Sequence, residues 1–132
     1  MSSTKIIDLK PIMRPLASAF LKAAEVEGLA MIITCTFRSM EEQAELYKIG
    51  RTKPGRKVTN ALPGQSSHNY GLALDGVPLY HGKPAWKTTG EELKLWNLYG
   101  ELAEAAGLEW AGRWTRFREF PHVQMKNWRD YI

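Results

Sequence analysis

The sequence predicts an α+β domain in which a small, largely antiparallel sheet is flanked by about three α-helices. Two observations carry that prediction. Three stretches, near residues 10–27, 40–48 and 91–106, place apolar side chains at helical spacing. Short apolar runs at 29–36, 72–77, 108–110 and 123–125 have strand rather than helix length. Helices and short strands in this order fit an α+β layer arrangement, and there is no internal repeat, low-complexity tract or linker to divide the chain.

In order, Lys10 to Glu27 reads as a first helix with Ala17, Phe20, Leu21, Ala24 and Val26 on its apolar face. Pro11 and Pro15 suit its beginning, so the regular helix can start as late as Pro15, and Gly28 is its stop. Leu29 to Thr36, partly β-branched, reads as a buried strand. Ser39 is placed to cap a helix from Met40 to about Lys48, with Glu42 at the reciprocal capping-box position. Residues 50–64, rich in glycine, proline and basic side chains, form a loop. The third helix runs from Glu91 to about Ala106, opened by Thr89 or Gly90 and ended by Gly107. Its expected buried face is Leu95, Leu98, Tyr99, Leu102 and Ala106. The runs at 72–77, 108–110 and 123–125 supply the remaining strands.

With 132 residues the chain is most simply one domain, long enough to bury a core without staples. An apolar fraction of 44% and a charged fraction of 24% are those of an ordinary globular protein. The one cysteine, Cys35, excludes an intramolecular disulfide and a multi-cysteine zinc site. It lies on the expected buried strand with no histidine near it in sequence, which argues against a nucleophile. The N-terminus lacks a signal-peptide pattern, and no apolar run approaches the roughly 18 residues a membrane span needs. The expectation is a protein that is cytoplasmic when made, without stable membrane insertion. The net charge is +4. Lys48, Arg51, Lys53, Arg56 and Lys57 crowd one acid-free segment, and such a patch favours polyanions or simply solvates a loop. No P-loop, dinucleotide or nucleic-acid-binding motif is present, so no nucleic-acid partner is expected.

The chemistry concentrates at Gln65-Ser66-Ser67-His68-Asn69-Tyr70-Gly71-Leu72-Ala73-Leu74-Asp75. Asp75 is the one formally charged side chain from Ala61 to Asp75, and burying a carboxylate is costly without a partner or a metal. Tyr70-Gly71 offers a bend, which puts His68 on an incoming loop and Asp75 on the strand after it. His122 is positioned to complete the set from the far end of the chain. Two imidazoles and one carboxylate suit zinc and leave a fourth position for water. Glu119, three residues before His122, is the natural general base. On spacing alone a core histidine and a turn aspartate explain His68 and Asp75 about as well. His81, between turn signals, reads as a loop histidine, and the five tryptophans read mostly as core or groove wall.

Ser66-x-His68-x-x-Gly71-x-Ala73-x-Asp75 resembles the SxHxxGxAxD signature of the D-alanyl-D-alanine carboxypeptidase and dipeptidase family of zinc peptidases. Glu119-x-x-His122 is similar to its second signature. Phe37-Arg38-Ser39-x-x-x-Gln43-x-x-Leu46-Tyr47-x-x-Gly50-Arg51-Thr52, followed by Val58-Thr59-Asn60-Ala61 and Pro63-Gly64, resembles its phage L-alanyl-D-glutamate endopeptidase branch. The likeness spans about Thr34 to His122. It implies a Hedgehog/D,D-peptidase-like fold and one Zn²⁺ per chain held by His68, Asp75 and His122. It further implies Glu119 as base, Arg38 supporting the oxyanion or substrate, and Ser66 contacting substrate or bracing the site. Gln43, from the same motif, and Trp114, near Glu119, are the other expected substrate contacts. Three positions depart from the pattern: Glu119 where many phage enzymes of this branch carry Asp, Cys35-Thr36-Phe37 in place of a Ser-Gly-Tyr-like approach to the arginine, and Gly76 where a larger residue is usual.

The expectation that follows is a monomeric catalytic domain over residues 1–132, without a separate wall-binding domain. It would cut the L-Ala–D-Glu bond of bacterial peptidoglycan as a phage or prophage endolysin. It would reach the wall from the host cytoplasm through a holin-like permeabiliser. The rival activities are D-alanyl-D-alanine carboxypeptidase or dipeptidase, and, from another class, a non-catalytic metal-containing wall-binding module.

Overall fold

The computed structural model describes residues 2–132. Helices α1 (Arg14–Val26), α2 (Met40–Lys48) and α3 (Gly90–Ala105) accompany strands β1 (Met31–Cys35), β2 (Ala73–Tyr80), β3 (Lys83–Pro84), β4 (Leu108–Trp110) and β5 (His122–Met125). The strands pair antiparallel in the order β1-β2-β5-β4, with β3 folded back on β2. This is the predicted α+β class.

Alternation along the strands divides the sheet into two faces. Leu74, Leu108, Trp110 and Val123 point into the core with Phe20, Met13, Trp96 and Tyr99. Asp75, His122, Gln124 and Glu109, one step out of phase, point the other way. Tyr99 of α3 meets Phe20 of α1 edge-on at 5.1 Å, and its hydroxyl donates to the carbonyl of Pro121 at 2.6 Å. The indole N–H of Trp110 donates to the carbonyl of Phe120 at 2.8 Å. Two core aromatics therefore hold the chain immediately before His122.

Several sequence expectations need adjustment. α1 begins at Arg14, with Pro15 in its first turn, which is the later of the two starts the prolines allow. Val26 is 72% exposed, because it lies about 200° around the helix from Ala24, which is buried. Ser39 caps α2 by accepting from the amide of Glu42 at 3.0 Å, but the return half of the capping box does not form. The Glu42 carboxylate instead accepts from the Ser2 hydroxyl at 2.9 Å. The buried face of α3 is Trp96, Tyr99, Gly100 and Ala103, with Leu95, Leu98, Leu102 and Ala106 only partly buried around it. The helix is turned this way because Trp110 lies against Gly100: a Cβ there would stand 2.0 Å from the indole. The two-residue β3 carries no apolar run and was not legible. It closes a hairpin whose turn contains His81 at φ 51°, the expected loop histidine.

Candidate metal centre

The Ser67–Tyr70 stretch forms a single 3-10 turn that buries His68. Its cap, Gly71, has φ 68°, and a Cβ there would meet the amide nitrogen of Lys10 at 2.7 Å. A side chain is therefore disfavoured twice, by conformation and by space. Ser66 accepts from the amide of His68 at 3.3 Å, so it braces this turn while also lining the groove.

The strand register delivers the rest. Asp75 of β2 stands directly opposite His122, the first residue of β5, and opposite Cys35 of β1 on its other side. The β1–β2 register slips between Ile33 and Cys35. That bulge re-aims the end of β1, a device common beside functional sites. Nε2 of His68 and Nδ1 of His122 each lie 3.0 Å from Oδ1 of Asp75, and the three donor atoms fall within 4.8 Å of one another. The outer nitrogens are both engaged: Nδ1 of His68 donates to the carbonyl of Thr36 at 2.8 Å, and Nε2 of His122 to Oε1 of Gln124 at 2.8 Å. These bonds turn the inner nitrogens toward the Asp75 carboxylate, where a proton or a metal ion has to bridge them. Three acceptors converging on one point fit a cation, and the donor set suits zinc.

The electrostatics agree. Burial opposes a charged His68, but the Asp75 carboxylate outweighs it and raises the imidazole pKa from 6.5 to about 10. Burial also opposes charge on Asp75, and the two histidines overcome it, holding the carboxyl far below its ordinary range. Both shifts describe a pocket that favours positive charge between carboxylate and rings.

Glu119 stands on the open side, its Oε2 3.9 Å from Nδ1 of His122 and its side chain half exposed. Its amide donates to the carbonyl of Ala111 at 3.3 Å. Arg38 lines the same groove. Its amide donates to the carbonyl of His68, and its guanidinium donates from Nη1 to Gln43 at 3.1 Å and approaches the Cys35 sulfur at 3.6 Å. Gln43 is the expected site residue that does not reach the groove. It is fully buried, and its amide nitrogen donates to Thr59 and to the carbonyl of Ala61. It holds Arg38 rather than substrate. Trp114 lies with its ring 5.8 Å from that of His122 and does line the groove.

Cys35 needs correction: its sulfur is 3.5 Å from Nδ1 of His68, a proximity the sequence separation hid. Burial raises its pKa, and His68 and Arg38 bring it below the ordinary value. Gly76 also finds its reason. A Cβ there would come within 2.8 Å of the Met31 side chain and 3.1 Å of the Tyr99 hydroxyl, so the position faces the core and not the groove. Ser67, Glu109 and Gln124 were missed by the sequence reading. Gln124 follows from period-two alternation with His122 on β5, whereas Glu109 becomes readable only with the β4–β5 register, and Ser67 only once its turn packs against β5.

The groove has a volume of about 1150 Å³, and Trp86, Phe117, Thr59 and Ala61 line it beyond the cluster. A buried three-donor centre opening into a groove of that length is the architecture of a metal-dependent peptidase. Comparison with known proteins narrows the class. Residues 7–128 match the VanY family, described as D-alanyl-D-alanine carboxypeptidase, and the chain belongs to that family. It is 42% identical over 123 residues to the peptidoglycan L-alanyl-D-glutamate endopeptidase CwlK of Bacillus subtilis, covering 89% of this chain and 74% of that protein. The fold resembles that of the L-Ala D-Glu endopeptidase ChiX of Serratia marcescens, with a TM-score of 0.72 at 21% identity over 96% of this chain and 86% of that one. It also resembles a vancomycin-resistance D,D-pentapeptidase, VanY, solved with Zn(II), with a TM-score of 0.64 at 18% identity over 89% and 72% of the two chains.

Proposed function

We propose that the protein is a zinc-dependent endopeptidase that cleaves the L-Ala–D-Glu bond of peptidoglycan stem peptides. The observation that carries this reading is the convergence of His68, Asp75 and His122 with Glu119 on the open side. The named activity of CwlK, at 42% identity, supports the choice of bond. Bound zinc would polarise the scissile carbonyl and acidify a water molecule. Glu119 accepts the proton of the attacking water and passes it to the departing amine of D-Glu. Arg38, braced by Gln43 and by the turn that carries His68, offers a fixed positive charge to the oxygen on which negative charge develops. Trp114 forms a wall of the cleft beside His122.

The test is product analysis of purified peptidoglycan digested with the zinc-loaded protein. New N-terminal D-Glu is the expected product. Free D-Ala in its place would overturn the endopeptidase reading in favour of the D,D-carboxypeptidase. The proposed setting remains phage or prophage lysis of a bacterial host, with a holin-like partner giving a monomeric enzyme access to the wall. The likeness of residues 37–64 to phage enzymes supports it.

A further inference from the structure

We infer that Glu109, which is neither a metal ligand nor the base, decides which nitrogen of His122 faces the metal centre. The inference rests on the metal-centre reading above. The β4–β5 register sets Glu109 directly opposite Gln124, and Gln124 shares a face of β5 with His122, two residues before it. A chain of hydrogen bonds joins the three. Nε2 of Gln124 donates to Oε1 of Glu109 over a long 3.5 Å, and Oε1 of Gln124 accepts from Nε2 of His122 at 2.8 Å. The Ser67 hydroxyl donates to the same Gln124 oxygen at 3.0 Å. The second carboxylate oxygen of Glu109 accepts from the indole N–H of Trp114 at 2.9 Å.

The direction of this chain is set from its far end. The two ends of a glutamine amide are interchangeable in shape, so only partners can orient it. An ionised carboxylate can only accept, so Gln124 must turn its NH2 toward Glu109 and its oxygen toward His122. An amide oxygen also only accepts, so Nε2 of His122 must carry the ring proton. The lone pair then belongs to Nδ1, the atom 3.0 Å from Asp75 and 3.9 Å from Glu119. The Ser67 hydroxyl, able to donate or accept, fills the second acceptor position that this orientation of Gln124 offers. Because Trp114 hangs from the same carboxylate, the groove wall beside His122 and the tautomer of His122 share one anchor. Glu109 is thus a positioning residue acting through Gln124.

The test uses the full-length chain with Zn(II) as probe. It measures affinity by chelator competition and the ring nitrogen shifts of His122 by NMR on the zinc-loaded protein. The wild type should show Nδ1 bound and Nε2 protonated. Glu109→Gln keeps one acceptor oxygen for two donors; the shorter bond from Trp114 holds it, an NH2 turns toward Gln124, and zinc binding should weaken about tenfold or more. Gln124→Glu sets two carboxylates face to face and should also weaken it. The double variant reverses the Glu109–Gln124 link, yet still presents an acceptor to His122. It should therefore recover zinc affinity to within about threefold of wild type and restore Nδ1 ligation, since directly coupled residues depart from additivity. A role in packing alone would leave Nδ1 ligation and Nε2 protonation of His122 unchanged in both single variants. Wild-type affinity and ligation in Glu109→Gln, or a double variant no better than the poorer single one, would overturn the inference. A wild type that binds no zinc would instead remove the metal-centre reading on which it rests.

Discussion

His68, Asp75 and His122 stand on a glycine-capped turn and on two paired strands, with each outer ring nitrogen engaged and little of the cluster exposed. Glu119 stands on the loop that follows Trp114, half in solvent, its backbone held by one bond to Ala111. The contrast assigns two demands to two kinds of structure. Holding a cation requires donors fixed to a few tenths of an ångström, which strand register and buried hydrogen bonds supply. A base must instead reach a water, a substrate and a leaving group in turn, which a partly exposed side chain on a loop can do. The same loop holds Phe117 at φ 55°, a conformation non-glycine residues rarely adopt.

The sharpest way to break this comparison is to remove one member of each half. Asp75→Ala deletes the carboxylate that both histidines face, and should abolish zinc binding and reduce wall hydrolysis to background. Glu119→Ala should leave zinc content at one per chain while lowering hydrolysis by about 10²- to 10⁴-fold, the usual range for a general base. Metal analysis beside activity separates the two. A Glu119→Ala protein that loses its zinc would show that the loop belongs to the metal centre. One that stays fully active would remove Glu119 from the mechanism.

The sequence made the proposed ligands legible but not the way they are held. His68, Asp75, His122 and Glu119 could be named because motif spacing survives in one dimension. The opposition of Asp75 to His122 across β2 and β5 could not, because register is a property of paired strands. Cys35 illustrates the same limit: a bulge in β1 and the turn of His68 bring together residues separated by 33 positions. The cap of α2 was readable because Ser39 and Glu42 are three residues apart, whereas the unformed half of that box depended on Ser2, 40 positions away. Gln43 was assigned to substrate because a motif records that a residue matters, not which way it points.

Arg38 lies between the two halves: it lines the groove as Glu119 does, yet it is braced like the ligands. Gln43→Leu tests which comparison applies. The substitution removes the acceptor of Nη1 and leaves the partly buried carbonyl of Ala61 without its donor. Stability should fall by about 1–3 kcal/mol, the cost of an unsatisfied buried group. If the position of Arg38 matters to the reaction, kcat should drop about tenfold or more while zinc affinity stays unchanged. Denaturant titration, steady-state rates and zinc competition give the three readouts. Loss of stability alone would make Gln43 a core residue only.

The smallest effect belongs to the loop beyond α2, where five basic side chains suggested attraction to an anionic wall. Most of that charge is already committed. Lys48 and Lys53 both pair with Glu45, and Arg51 stacks on the Tyr47 ring at 3.6 Å while donating to the carbonyls of Tyr47 and Thr59. Among the described residues, Arg56 and Lys57 are the members of the cluster without an ion pair or side-chain hydrogen bond. Neutralising both to glutamine should therefore slow wall hydrolysis only about two- to fivefold at low salt, with no difference left at high ionic strength, because exposed charges act through a screened field. Neutralising Lys48 and Lys53 instead also removes two positive charges and leaves Glu45 unpaired, so it should slow the rate by a similar factor at low salt. Rates equal to wild type for all variants across the salt series would reduce the cluster to a solvated loop, and the site's affinity for the wall would then lie with the groove alone.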